Sequence, residues 1–228
     1  MKGQSLDSLG LRVLLSSKEM SKACIFCSLG KMNLANMDLL SAGVNFYYAL
    51  YHCCSSLISS TSTEIPIDKC VAEWKMRAQL PRIYVHLQHK QAVSLTRKMD
   101  AKLADKLDEL CKVREYLSYG PNILYESDAK GGLERIQVFT CKFNNLPKKI
   151  EDFSSELPAL INRCCKLLKA RLNKSLFSFF MFESYVVTDI LCKDMRLRQD
   201  FIDECWSITD SFDKEGKYRK MALKALAL

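Results

Sequence analysis

Residues 41–60 read SAGVNFYYALYHCCSSLISS, and the way this stretch folds decides the architecture around it. On a helix, at about 100° per residue, Val44, Tyr47, Tyr51, Cys54 and Ile58 line one face. Phe46, Leu50, Cys53 and Leu57 fill a second face. A helix that is apolar nearly all round belongs at the centre of a bundle. One stripe differs: Ser41, Asn45, Tyr48, His52, Ser55, Ser56 and Ser59 fall together at helical spacing. Burying an unpaired polar group costs about 1–3 kcal/mol. The stripe therefore requires partners, from a neighbouring helix, a second subunit or a wet cleft.

The rest of the chain suits such a bundle. Its 228 residues can bury a proper core as one large domain or two small ones. Hydrophobic residues make up 48% and charged residues 26%, with only 8 Gly and 5 Pro. That composition predicts a mostly α, globular protein, since turn signals are few. The formal net charge of +8 favours a polyanionic partner, because Lys and Arg displace counterions from phosphates.

The 11 cysteines are an odd count, with adjacent pairs at Cys53–Cys54 and Cys164–Cys165. They do not resemble a secreted disulfide framework. With no apolar leader in MKGQSLDSLG, free thiols in a reducing cytoplasm are the expectation. Cys24 and Cys27 form a lone CxxC with no second half to complete a zinc set, so neither a metal nor another cofactor is expected. The most apolar run, Ser175 to Cys192, holds Glu183 and Asp189. It reads as a buried helix and not a membrane span, which needs about 20 apolar residues.

Further helices are predicted over Ser5–Leu29, from an Asp68 cap to a break near Pro81, and over Lys98–Leu117 with SYGPN as its stop. Three more cover about Leu157–Asn173, Lys174–Lys193 and Met195–Phe212, with Pro158 in a first turn. Glu134–Phe143 alternates β-branched and aromatic residues and predicts one short strand. A change of character near residues 120–132 divides a helical bundle over 1–125 from an appended helical region over 126–228. On the Lys98–Leu117 helix, Leu103, Leu107, Leu110 and Leu117 form the buried stripe, and Arg114 sits on it where leucine would be expected. Arg114 reads either as an arginine snorkelling at the stripe's edge or as an inward arginine in a cleft, ready for phosphate. Lys214, Lys217, Arg219, Lys220 and Lys224 read as a basic, mobile tail.

Two of these features together, YYALYH at residues 47–52 and LDELCKVREYLSYGP ending at Pro121, resemble the HEPN family, the higher eukaryotes and prokaryotes nucleotide-binding domain. Domains of that family are small helical bundles with a tyrosine-rich YYAxxH-like helix, which Tyr47, Tyr48, Ala49, Tyr51 and His52 match. Some members carry an RxxADY-like segment before a proline, and Arg114, Tyr119 and Pro121 fit it. The resemblance covers about residues 33–125 and leaves the last hundred residues unaccounted for.

The resemblance implies an RNA-associated protein, in many members a metal-independent endoribonuclease acting as a toxin or in defence against phage. In that chemistry a histidine draws the proton from a ribose 2′-OH, and an arginine separated from it by four to six residues stabilises the developing charge. Here the fifth residue after Arg114 is Tyr119 and not histidine, and a phenol with a pKa of about 10 is a poor base at neutral pH. The candidate catalytic residues are thus His52, Arg114 and Tyr119, with His52 the only base among them. Candidate substrate contacts are Asn45 and Tyr48 on the polar stripe, and Arg82 and His89, the other arginine–histidine pair by spacing. His52 and His89 also read as ordinary structural histidines.

Two functions stay open. One is an RNA-associated protein, either a divergent ribonuclease or a relative that has lost catalysis. The other is a non-catalytic helical subunit or regulator with a protein partner. A homodimer is expected, with Asn45, His52 and Ser56 at its two-fold seam, because the family pairs similar helices that way.

Overall fold

The computed structural model describes residues 8–61, 73–74, 81–82, 87–123, 145–213 and 215–227. Among them the protein is a helical bundle, as the patterning predicts. Helix α1 (Ser8–Ala35) turns through Met37, whose φ is 60°, into α2 (Leu39–Thr61). Asp38 caps α2 by accepting the Ser41 backbone N–H at 3.0 Å. Helices α3 (His89–Met99) and α4 (Ala101–Ile123) follow, then α5 (Leu146–Arg171), α6 (Lys174–Asp194), α7 (Gln199–Asp210) and α8 (Lys217–Leu226).

Helix α2 is the central element. Phe46, Tyr47, Leu50, Cys53, Cys54, Leu57 and Ile58 are all fully buried, and α1, α3, α4 and α5 pack around it. Helix α1 lies antiparallel along α2, and small residues let the two approach closely. A Cβ on Gly30 would stand 2.4 Å from the Phe46 ring, so the contact depends on glycine. Ser16 and Ser56 face each other lower down: each hydroxyl donates to the other's backbone carbonyl, at 2.9 and 2.8 Å. The far side of α1 is tied to α6, where Ser21 donates to the Ser184 carbonyl at 2.9 Å and Ser17 to the Phe180 carbonyl at 3.2 Å. The core is continuous, drawing on Leu103, Leu107 and Leu110 of α4 and on Ile161, Cys164, Phe180 and Trp206 of the later helices.

Several predicted boundaries move, each for a local reason. The Lys98–Leu117 helix is two helices, because Asp100 is extended at φ −159°, ψ 108° and its side chain caps α4 through the Leu103 N–H at 3.0 Å. Helix α4 runs on through Gly120 and Pro121 to Ile123; a proline in the last turn forfeits one backbone bond and does not stop the helix. Pro158 lies on an exposed face inside α5, and the first-turn proline is Pro147. The helix predicted from Asp68 to Pro81 is not formed at Glu73–Trp74, which pairs instead as a strand, antiparallel with Pro81–Arg82. The predicted Asp68 cap and the strand at Glu134–Phe143 lie outside the described residues.

The basic tail is a docked helix and not a mobile end. Buried Asp213 caps α8 by accepting the N–H groups of Tyr218 and Arg219 at 2.8 and 2.9 Å. Arg219 then pairs with Asp210 at 2.7 Å and covers the Trp206 ring at 5.2 Å. Helix α6 is the one helix among the described residues long and apolar enough to cross a membrane; 50% of its most apolar window is buried within the fold.

Candidate functional site

The sequence places four aromatic or histidine side chains in one helical run, and the fold brings three further elements to them. On α2, Tyr47 is fully buried while Tyr48, Tyr51 and His52 are half-buried. The Tyr47 hydroxyl is hydrogen-bonded to Nδ1 of His89, the first residue of α3. The Tyr51 hydroxyl donates to the Leu87 carbonyl at 2.6 Å. Both tyrosines thus fix the start of α3 against α2. His89 sits edge-on to both rings, at 5.3 Å from Tyr47 and 5.4 Å from Tyr51. Burial pushes both phenols above their ordinary pKa, so they are neutral hydrogen-bonding groups at any physiological pH.

From α4, Arg114 is half-buried and its guanidinium lies 5.9 Å from the centre of the Tyr47 ring, within cation–π range. The leucine stripe around it is buried as predicted, and Arg114 lies half-buried on it. Arg114 and His52 stand at two ends of a run of rings, since Tyr47 approaches Tyr51 at 6.0 Å and Tyr51 approaches His52 at 5.2 Å.

His52 is held from α1. Its Nδ1 donates to Glu19 Oε2 at 2.7 Å, and Lys22 pairs with the other carboxylate oxygen at 2.7 Å. Its ring stacks on Phe26 at 5.4 Å and 11°, and on Tyr48 at 6.2 Å and 27°. The imidazole is 14% exposed and the Glu19 side chain 8%. Burial works to raise the Glu19 pKa, but the hydrogen bond and charge of His52, with Lys22 beside them, hold the carboxyl below its ordinary value. Glu19 is therefore an anion that fixes the orientation of His52 and stabilises any positive charge on it.

Of the predicted residues, the fold gathers His52, Tyr48, His89 and Arg114 around Tyr47 and Tyr51. Asn45 is half-buried on the same stripe of α2. Tyr119 lies near the end of α4 and Arg82 in the short strand pair, and the side chains of both lie outside the description. Two residues of the polar stripe expected at a two-fold seam are partnered within the chain: α1 supplies Ser16 for Ser56 and Glu19 for His52.

Sequence reasoning missed Glu19, Lys22 and Phe26. A signal was there, since Ser16, Glu19, Ala23, Phe26 and Gly30 recur every three or four residues, but they are too mixed in polarity to read as one face. The CxxC is core: Cys24 and Cys27 are buried, and burial pushes their thiols up to about 12 and about 11. They are protonated thiols packed in the core, and no group of three or more His, Cys, Asp or Glu among the described residues could hold a metal ion. In comparison with known proteins, no family model matches the chain, and neither a curated protein nor a solved structure matches it.

Proposed function

We propose that the chain is a HEPN-like, RNA-associated protein whose Tyr–His–Arg cluster contacts RNA, and that it binds RNA without cutting it. The observation that carries this reading is Arg114, a cation set among leucines on a buried stripe and turned onto the Tyr47 ring. A guanidinium beside aromatic rings suits both halves of a nucleotide, giving a fork for phosphate and flat surfaces for bases. Tyr48, half-buried at the edge of the cluster, offers the ring for stacking.

The same geometry supports binding over cleavage. A general base must reach the proton it takes. His52 is enclosed between Phe26, Tyr48 and Tyr51, and only 14% of its side chain is exposed. The position five residues after Arg114 holds a tyrosine. The test is Arg114→Ala in an RNA titration. Affinity should fall about tenfold, and the log–log salt slope should shrink by about 0.7, the value for one phosphate on a single strand. Unchanged affinity and slope would remove Arg114 from the site.

A further inference from the structure

The chain's positive charge is unevenly placed. Leu87–Met99 contains Lys90, Arg97 and Lys98 and no Asp or Glu. Leu157–Phe182 contains Arg163, Lys166, Lys169, Arg171 and Lys174 and again no acid. These eight cations equal the net charge of +8, so the remaining 26 basic and 26 acidic residues cancel. A solvated helix face in a globular protein ordinarily mixes both signs, and α3 does not.

The outer face of α3 is also open to solvent. Lys90, Val93, Ser94, Arg97 and Lys98 line an open cleft of about 470 Å³. Lys90, Val93, Ser94 and Arg97 share one side of the helix by spacing, while Ala92, Leu95 and Thr96 on the other side are buried. All three cations are exposed. Arg97 pairs with Asp105 at 2.7 Å, but both side chains are more than half exposed, at 53% and 69%, and such a pair is screened and readily exchanged for a phosphate. At the C-terminal end of α3, buried Asp100 binds Arg163 at 2.5 Å, which brings the second acid-free stretch up to the first.

Helix α3 thus carries two features on one rod about 16 Å long. Its first residue, His89, belongs to the Tyr–His–Arg cluster, and the cationic cleft begins at the next residue. We infer that the α3 cleft is a binding track for the phosphate backbone of single-stranded RNA, leading into the cluster at His89. This rests on the RNA reading above and adds the surface by which the polyanion is held. No base-reading group is needed in the cleft, because phosphate contacts set position and affinity while the rings of the cluster meet bases.

The test uses the full chain and a fluorescently labelled single-stranded RNA of about 20 nucleotides, titrated between about 50 and 200 mM salt. Lys90→Gln/Arg97→Gln/Lys98→Gln should lower affinity at the low-salt end at least about tenfold. It should also reduce the log–log salt slope by about 2, three phosphates at about 0.7 each. Its helical circular dichroism and melting temperature should match the wild type, which separates lost contacts from lost fold. If the wild type binds RNA and the triple variant keeps both affinity and slope, the α3 track is wrong while the RNA reading stands. If the triple variant loses binding but Arg114→Ala does not, the track stands and the cluster assignment falls. A wild type that ignores RNA but binds vesicles of anionic phospholipid would overturn the track as an RNA surface.

Discussion

Glu19→Ala will destabilise the fold by about 2–3 kcal/mol. Removing one partner from a fully buried ion pair costs about 3–5 kcal/mol; here Lys22 is 31% exposed and His52 is 14% exposed, so water recovers part of that. Urea unfolding should show the loss as a lower midpoint with an unchanged slope. The pH dependence distinguishes charge from packing. Because the folded Glu19 carboxyl lies below its ordinary value, its contribution is fully present above the unfolded pKa of about 4.5. It is lost as pH falls through the folded value. The wild type should therefore lose stability below about pH 4.5 more steeply than Glu19→Gln, which keeps the shape but not the charge. Parallel acid profiles for the two proteins would mean that the His52–Glu19 contact contributes packing only.

Trp206→Ala will cost more, about 3–5 kcal/mol, in the range for emptying a tryptophan site in a core. The indole is 1% exposed, donates to the Tyr185 carbonyl at 3.2 Å and meets the Tyr185 ring edge-on at 5.8 Å. It is also the surface beneath Arg219, so its loss frees the anchor of α8. The Tyr185 hydroxyl donates to Asp210 at 2.7 Å, and Asp210 in turn holds Arg219. Trypsin should accordingly cut within residues 217–226 much faster in the variant than in the wild type. Equal cutting would show that the docking of α8 does not depend on the indole.

The fold class was legible because α2 and α4 carry strong, single-sided signals. The leucines at 103, 107, 110 and 117 are buried where the period places them, and two residues of the polar stripe on α2, His52 and Ser56, find partners on α1. What could not be read was who supplies them. Helix α1 presents serines, a glutamate, a phenylalanine and a glycine to α2, and a face defined by close approach has no hydrophobic period to betray it. Boundaries were misplaced where one residue overrides a pattern, as Asp100 does in splitting α3 from α4. Arg114 was recognisable as a cation on a leucine stripe, whereas the link between His89 and Tyr47 joins residues 42 positions apart. No local pattern encodes such a contact.

The central claim, that the Tyr–His–Arg cluster serves RNA binding and not RNA cutting, is tested most directly by following labelled single-stranded RNA with the wild-type protein in a metal chelator at low salt. The result predicted is a saturable complex from which the RNA is recovered at full length, with binding weakened by Arg114→Ala. The claim would be contradicted by scission of the RNA that His52→Ala abolishes, or by the absence of any complex at low salt.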